Sequence, residues 1–192
     1  GTPKQIVMER FLQKGGLQLS DVKILKMSFP EMNMGFANKA LDATLTLEPF
    51  VAKAELDGTA MTVIEAYEVY PDLQGAAIFY SPHFIKNNPK QAVDFMAAYL
   101  KGVRVFREAF INGKRRQEIT NKLKKYIKIQ DDAVWNNLVI QRIDPNGYIR
   151  KDALLNDIKW YKEKGYIDKI PDVNQYVDFS FIEKALKIIG KQ

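Results

Sequence analysis

The chain has 192 residues, 46% hydrophobic and 27% charged, with a net charge of +6; this is an ordinary globular composition, enough for one domain or two small lobes and unlike that of a disordered chain. It contains no cysteine and one histidine, His83, which excludes thiol catalysis, disulfides, Cys-ligated zinc or iron–sulfur centres and any two-histidine metal site; no cofactor is expected. No run approaches the ~18 apolar residues of a membrane span, and no signal peptide is visible.

The first element is a helix in TPKQIVMERFLQKGG. Thr2 is its N-cap, Pro3 suits the first helical position, and Ile6, Val7, Phe11 and Leu12 form one apolar stripe that Gly15 and Gly16 close. VKILKM (22–27) reads as a strand, SFPEMNMGFANKAL as a helix, DATLTL (42–47) as a strand, EPFVAKAELDG as a helix ended by Gly58, and AMTVIEA (60–66) as a strand. Helix and strand alternate, which implies a parallel sheet with crossover helices. YEVYPDLQG is a turn-rich connector and AAIFYS (76–81) one more strand. The rest reads as helix. NPKQAVDFMAAYLKGVRVFREAFING is long and amphipathic, with Val93, Met96, Leu100, Val103 and Phe106 at helical spacing. Four further helical stretches follow, with Asp131, Asp152 and Asp178 near their starts as caps, and DPNGYI (144–149) is a turn. Trp135 and Trp160 occupy apolar helical positions and read as core.

Few residues invite chemistry. The amino end of the first helix, at Gly1, Thr2 and Pro3, presents free backbone N–H groups and a positive dipole end, where an anion can sit. Glu48 and Pro49 stand where an apolar strand stops and a helix starts, and ligand sites of α/β folds lie at the carboxyl ends of strands. The acid can meet a ligand there or merely favour the helix dipole. Tyr67 and Tyr70, at the end of the next strand, can stack on a planar ligand or seal a hinge. His83 follows Ser81-Pro82 with no nucleophile motif near it and reads as a loop or cap residue. No carboxylate pair is singled out for acid–base work, and neither a dinucleotide-binding glycine motif nor a phosphate-binding loop is present. The cluster KRRQEITNKLKKYIK (114–128) interleaves with Ile119, Leu123 and Ile127 and reads as a half-buried amphipathic helix. No nucleic-acid partner is expected, because that footprint needs clustering on one face.

Several stretches, in order, resemble one family. GTPKQIVMERFLQKGGLQLSDVKIL, PEMNMGFANKALDA, LEPF, SPHFIKNNPKQAVDFMAAYLKG and GYIDK followed by VNQYVDFSFIEKAL are similar to the later part of the periplasmic-type solute-binding proteins of ABC importers. The subset in question takes nitrate, sulfonates, taurine or thiamine precursors. The resemblance implies a periplasmic-binding-protein-like α/β fold of type II. Residues 1–72 would be the second lobe, a short, mostly parallel sheet without its first strand. Residues 73–192 would be the return into the first lobe, one strand and the C-terminal helices. The chain resembles a fragment lacking the N-terminal lobe and leader. Leu47 stands where the family carries a tryptophan.

The same resemblance implies a non-enzymatic receptor, periplasmic or extracellular and membrane-tethered at full length. It would bind a small polar solute in a cleft between its lobes and hand it to a membrane permease. The residues carried over are Gly1, Thr2, Glu48 and Pro49, beside which Tyr67 and Tyr70 stand as ligand-binding candidates from their own position; no metal site is implied. The fragment is expected to bind its solute weakly and to self-associate through open strand edges. Two alternatives stand beside this. One is a pyrimidine-synthase-like enzyme on the related fold, which the lack of cysteine and of a histidine-rich site disfavours. The other is a helical interaction domain using the lysine-rich half.

Overall fold

Thr2 starts the first helix, and its carbonyl accepts from the Gln5 N–H at 2.9 Å. This helix, α1 (Pro3–Lys14), has Pro3 in its first turn and buries Ile6, Val7 and Leu12, while Phe11 lies 38% exposed at the edge of the stripe. The structure, a computed structural model, describes residues 2–140 and 143–192. α2 (Phe29–Ala37) begins with a capping box in which the Ser28 N–H and hydroxyl both donate to the Glu31 carboxylate, at 2.6 and 2.7 Å. α3 (Phe50–Leu56), α4 (Ala66–Val69), α5 (Pro82–Asn87), α6 (Pro89–Ile111), α7 (Arg116–Leu123), α8 (Asp132–Asn137), α9 (Lys151–Glu163) and α10 (Ser180–Ile189) complete the helices, with 3₁₀ turns at Leu19–Asp21 and Val173–Gln175. The caps work as the acids suggest: the Asp131 carboxylate accepts from the Ala133 N–H, and that of Asp178 from the Ser180 N–H, both at 2.8 Å. Asp152 lies inside the first turn of α9, two residues past its N-cap Arg150.

The α/β reading is overturned. Among the described residues there is no strand and therefore no parallel sheet, so the architecture is helical. Residues 22–27, 42–47, 60–66 and 76–81 have strand-like composition but no ladder. A strand is completed only by backbone partners along its edges, and a parallel one also by cover on both faces. Here Ile24 and Leu25 are each 47% exposed, Met61 79%, Val63 78% and Phe79 89%. Local β-propensity describes a side chain suited to a half-buried pleated surface; without that surface it specifies nothing.

The chain divides into two compact units. In the N-terminal unit, residues 2–71 and 109–140, α3 packs on α2 and α8, and α1 on α4. Its largest fully buried side chain is Trp135, whose indole N–H donates to the Ile129 carbonyl at 2.9 Å and whose ring meets Phe110 at 6.4 Å.

In the C-terminal unit, residues 72–108 and 143–192, Met96, Ala97 and Leu100 of α6 pack against Ile182, Ala185 and Leu186 of α10. The Asp144–Gly147 turn is closed by the Gly147 N–H on the Asp144 carbonyl. It is tied to α6 by Arg104, which donates to the Pro145 carbonyl and the Asn146 side chain and also reaches the Gly190 carbonyl at 2.7 Å.

On the surface of α7, Glu118 accepts from Arg115 at 2.6 Å and Lys122 at 2.7 Å. The Arg115 hydrogen bond, followed by that of Lys122, holds its carboxyl down from 4.5 to about 2. A depressed acid stabilises the fold above its unfolded value and loses that contribution as the pH falls through its folded value, here between 4.5 and about 2. In a carbon-detected titration Glu118 should therefore have its midpoint near 2, and Arg115→Gln should move it back toward 4.5.

Candidate functional site around Glu48

Glu48 is half-buried at the mouth of α3, and Pro49 behind it is buried. The Glu48–Pro49 peptide is cis. One carboxylate oxygen accepts from the Ala52 N–H at 3.1 Å, inside the first turn of α3, which is the helix-dipole role expected of an acid at this position. The other accepts from the Val139 N–H, also at 3.1 Å, from the segment after α8. The acid thus does more than cap: it joins two stretches 91 residues apart in sequence. Each ionised oxygen has capacity left for a further donor.

The field at this carboxylate is acidic. Burial pushes its pKa up from the ordinary 4.5, with the Glu55 and Glu65 carboxylates pushing the same way, while the Val139 and Ala52 N–H groups pull it back. The folded state therefore holds this proton more tightly than the unfolded chain does. The stability it contributes is fully present below the unfolded value and is lost as the pH rises through the folded one. A site-resolved titration should place Glu48 above 4.5 and Glu118 below it.

Beside the acid stands an aromatic wall. Phe50 stacks on Phe29, with centroids 5.5 Å apart and planes at 21°. The Lys4 ammonium, on the first turn of α1, sits 3.7 Å from the Phe29 ring centre, and burial lowers its pKa. Asn33 of α2 donates to the Phe50 carbonyl at 3.0 Å. Its own Oδ1 and the Thr46 hydroxyl are buried atoms without a hydrogen-bond partner among the described residues. Such atoms cost about 1–3 kcal/mol each when left unmet.

Of the residues singled out from sequence, Glu48 and Pro49 stand together at the start of α3, from which contacts run through Phe50 and Phe29 to Lys4 in the first turn of α1. Thr2 is exposed and makes no side-chain cap bond. Gly1 lies outside the described residues. Tyr70 sits apart, 2% exposed, with the Arg10 guanidinium 3.7 Å above its ring, and Tyr67 is half-buried on α4. Sequence reading passed over Lys4, Phe29, Asn33 and Phe50 as site residues. A signal existed for Phe50, which ends the LEPF motif; none existed for Asn33, whose role depends on where α2 lands. A separate cleft of about 230 Å³, lined by Lys151, Leu155, Pro171 and Val173 among others, contains none of these residues. Among the described residues no group of three or more His, Asp or Glu side chains is placed to hold a metal ion.

A known family model matches residues 1–121 of the chain. The chain belongs to the NMT1-like family. This is a family mostly of solute-binding proteins, of the kind the sequence resembles. The match spans Thr2, Lys4, Phe29, Asn33, Glu48, Phe50, Tyr67 and Tyr70, and residues 122–192 lie past its end. No curated protein and no solved structure matches the chain.

Proposed function

We propose that this NMT1-like protein is the extracytoplasmic, membrane-tethered solute receptor of an ABC importer. It carries a small polar solute to the permease and performs no chemistry on it. On this reading the unit of residues 2–71 and 109–140 bears the ligand site. Membership of a mostly solute-binding family supports the class. The observation that carries the site is the Glu48 carboxylate, fixed by two backbone N–H groups. Because it is oriented before any ligand arrives, binding need not immobilise it.

The same surroundings bear on the solute. With Glu55 and Glu65 adding to the negative field, an anion such as nitrate is repelled from Glu48, and an amine or amino-heterocycle is drawn to it. The Phe29–Phe50 pair offers an apolar wall for a planar or methylene-bearing body. The buried Asn33 Oδ1 and Thr46 hydroxyl offer acceptors for N–H groups. A solute anion would fall to the N–H groups at the start of α1, beside Lys4. An aminosulfonate and an aminopyrimidine thiamine precursor both meet these demands.

Calorimetric titration with taurine, a hydroxymethyl-aminopyrimidine and sodium nitrate tests this. One of the amine-bearing solutes should bind and nitrate should not. Tight nitrate binding, with no response to either amine-bearing solute, would overturn the reading.

A further inference from the structure

The charge of this protein is not spread over it. Residues 114–128 hold seven Lys and Arg against one acid, Glu118, which is +6 and equals the net charge of the whole chain; the other 22 Lys and Arg are matched by 22 Asp and Glu. The fold sorts these cations by direction. Ile119 and Thr120 are buried, and Leu123 and Ile127 are half-buried. Arg116 turns inward with them, donating to the Trp135 and Asn136 carbonyls and lying over Phe110. Lys124 is held by Asp132 at 2.8 Å. Arg115 and Lys122 face outward and share Glu118. The helix then runs on for one more turn through the Ile127 N–H on the Leu123 carbonyl. That turn brings out Lys125 and Lys128, both exposed and, among the described residues, paired with no acid. Between them Tyr126 is 86% exposed.

We propose that residues 114–128 are a docking surface for an anionic lipid bilayer, with Lys125, Lys128 and Tyr126 as its leading contacts. The complement to an exposed cationic patch is an anionic surface. A tyrosine exposed beside half-buried Ile127 and Ile129 suits the headgroup boundary, where amphipathic rings partition. A nucleic-acid track would call for cations along an extended groove, and this patch is one short helix and its last turn. Among the described residues no helix is long and apolar enough to cross a membrane, so the contact is peripheral. The surface is independent of the solute reading: it contains none of the Glu48 neighbourhood, and Lys122 to Lys128 lie past the end of the family match.

The test is co-sedimentation of the full chain with vesicles of equimolar phosphatidylglycerol and phosphatidylcholine, against pure phosphatidylcholine. Binding should require phosphatidylglycerol and disappear at high salt. Each lysine at such a surface is worth roughly fivefold in affinity. Lys125→Gln with Lys128→Gln should therefore weaken binding about 25-fold, and Tyr126→Ser several-fold. Lys184→Gln with Lys187→Gln, an equal charge change on α10, should leave it unaltered. Unchanged melting temperatures will show that the variants are folded. Three results would overturn the proposal: no preference for phosphatidylglycerol, an equal loss in the α10 control, or binding by these same lysines to single-stranded DNA with none to vesicles.

Discussion

Trp135→Ala is expected to destabilise the protein by about 3–5 kcal/mol, the loss typical of a large buried aromatic cut to a methyl group. The residue is 1% exposed and is the largest fully buried side chain. Three elements converge on it: its N–H meets the Ile129 carbonyl, its ring lies against Phe110 from the end of α6, and its carbonyl receives Arg116 from α7. Trp135→Phe keeps most of the volume and loses the N–H donor, so it should cost about 1–2 kcal/mol. Urea denaturation of the two variants checks the order. Equal losses would mean that the hydrogen bond, and not the packing, holds the helices of this unit.

Gly147→Ala is expected to cost about 2–4 kcal/mol, from left-handed backbone strain together with overpacking. Gly147 closes the Asp144–Gly147 turn at φ +82°, where an L side chain is strained. A Cβ there would stand 2.7 Å from the Leu100 side chain, which is fully buried in the α6–α10 core. Gly113→Ala is the matched control. It has a similar φ of +73° with nothing within 4 Å of the added atom, so it should show only the strain. Thermal melts separating the two give the packing share directly; identical shifts would show that Leu100 yields.

The helices were legible because their determinants are local. Thr2-Pro3, Ser28 with Glu31 three residues on, Asp131 and the four- and three-residue spacing of Met96, Leu100 and Val103 each act within a turn or two of themselves. The four strand-like stretches were misread for the opposite reason. Val22 to Met27 and its counterparts carry the right side chains, but a strand is a relation between distant segments, and the partners are not there to be read. The site divides along the same line. Glu48 was recognisable as an acid at an element boundary, and its bond to Ala52 is the local role such an acid has. Its bond to Val139, 91 residues on, left no mark in the sequence. Tyr70 shows the limit from the other side: its place in a suggestive motif did not reveal that Arg10 covers its ring inside the core.

In the proposed receptor Glu48 is a ligand acceptor, beyond its part in joining α3 to the segment at Val139. The direct measurement is a calorimetric titration of Glu48→Gln beside the unaltered protein, with the solute that binds best. A carboxylate hydrogen-bonded to a charged ligand group is worth about 1.5–3 kcal/mol, so the variant should bind roughly ten- to a hundredfold more weakly. Its ligand-free melting temperature should fall only slightly, since Gln keeps the shape and one of the two acceptors. An unchanged affinity with a lowered melting temperature would contradict the account and leave Glu48 a structural clasp.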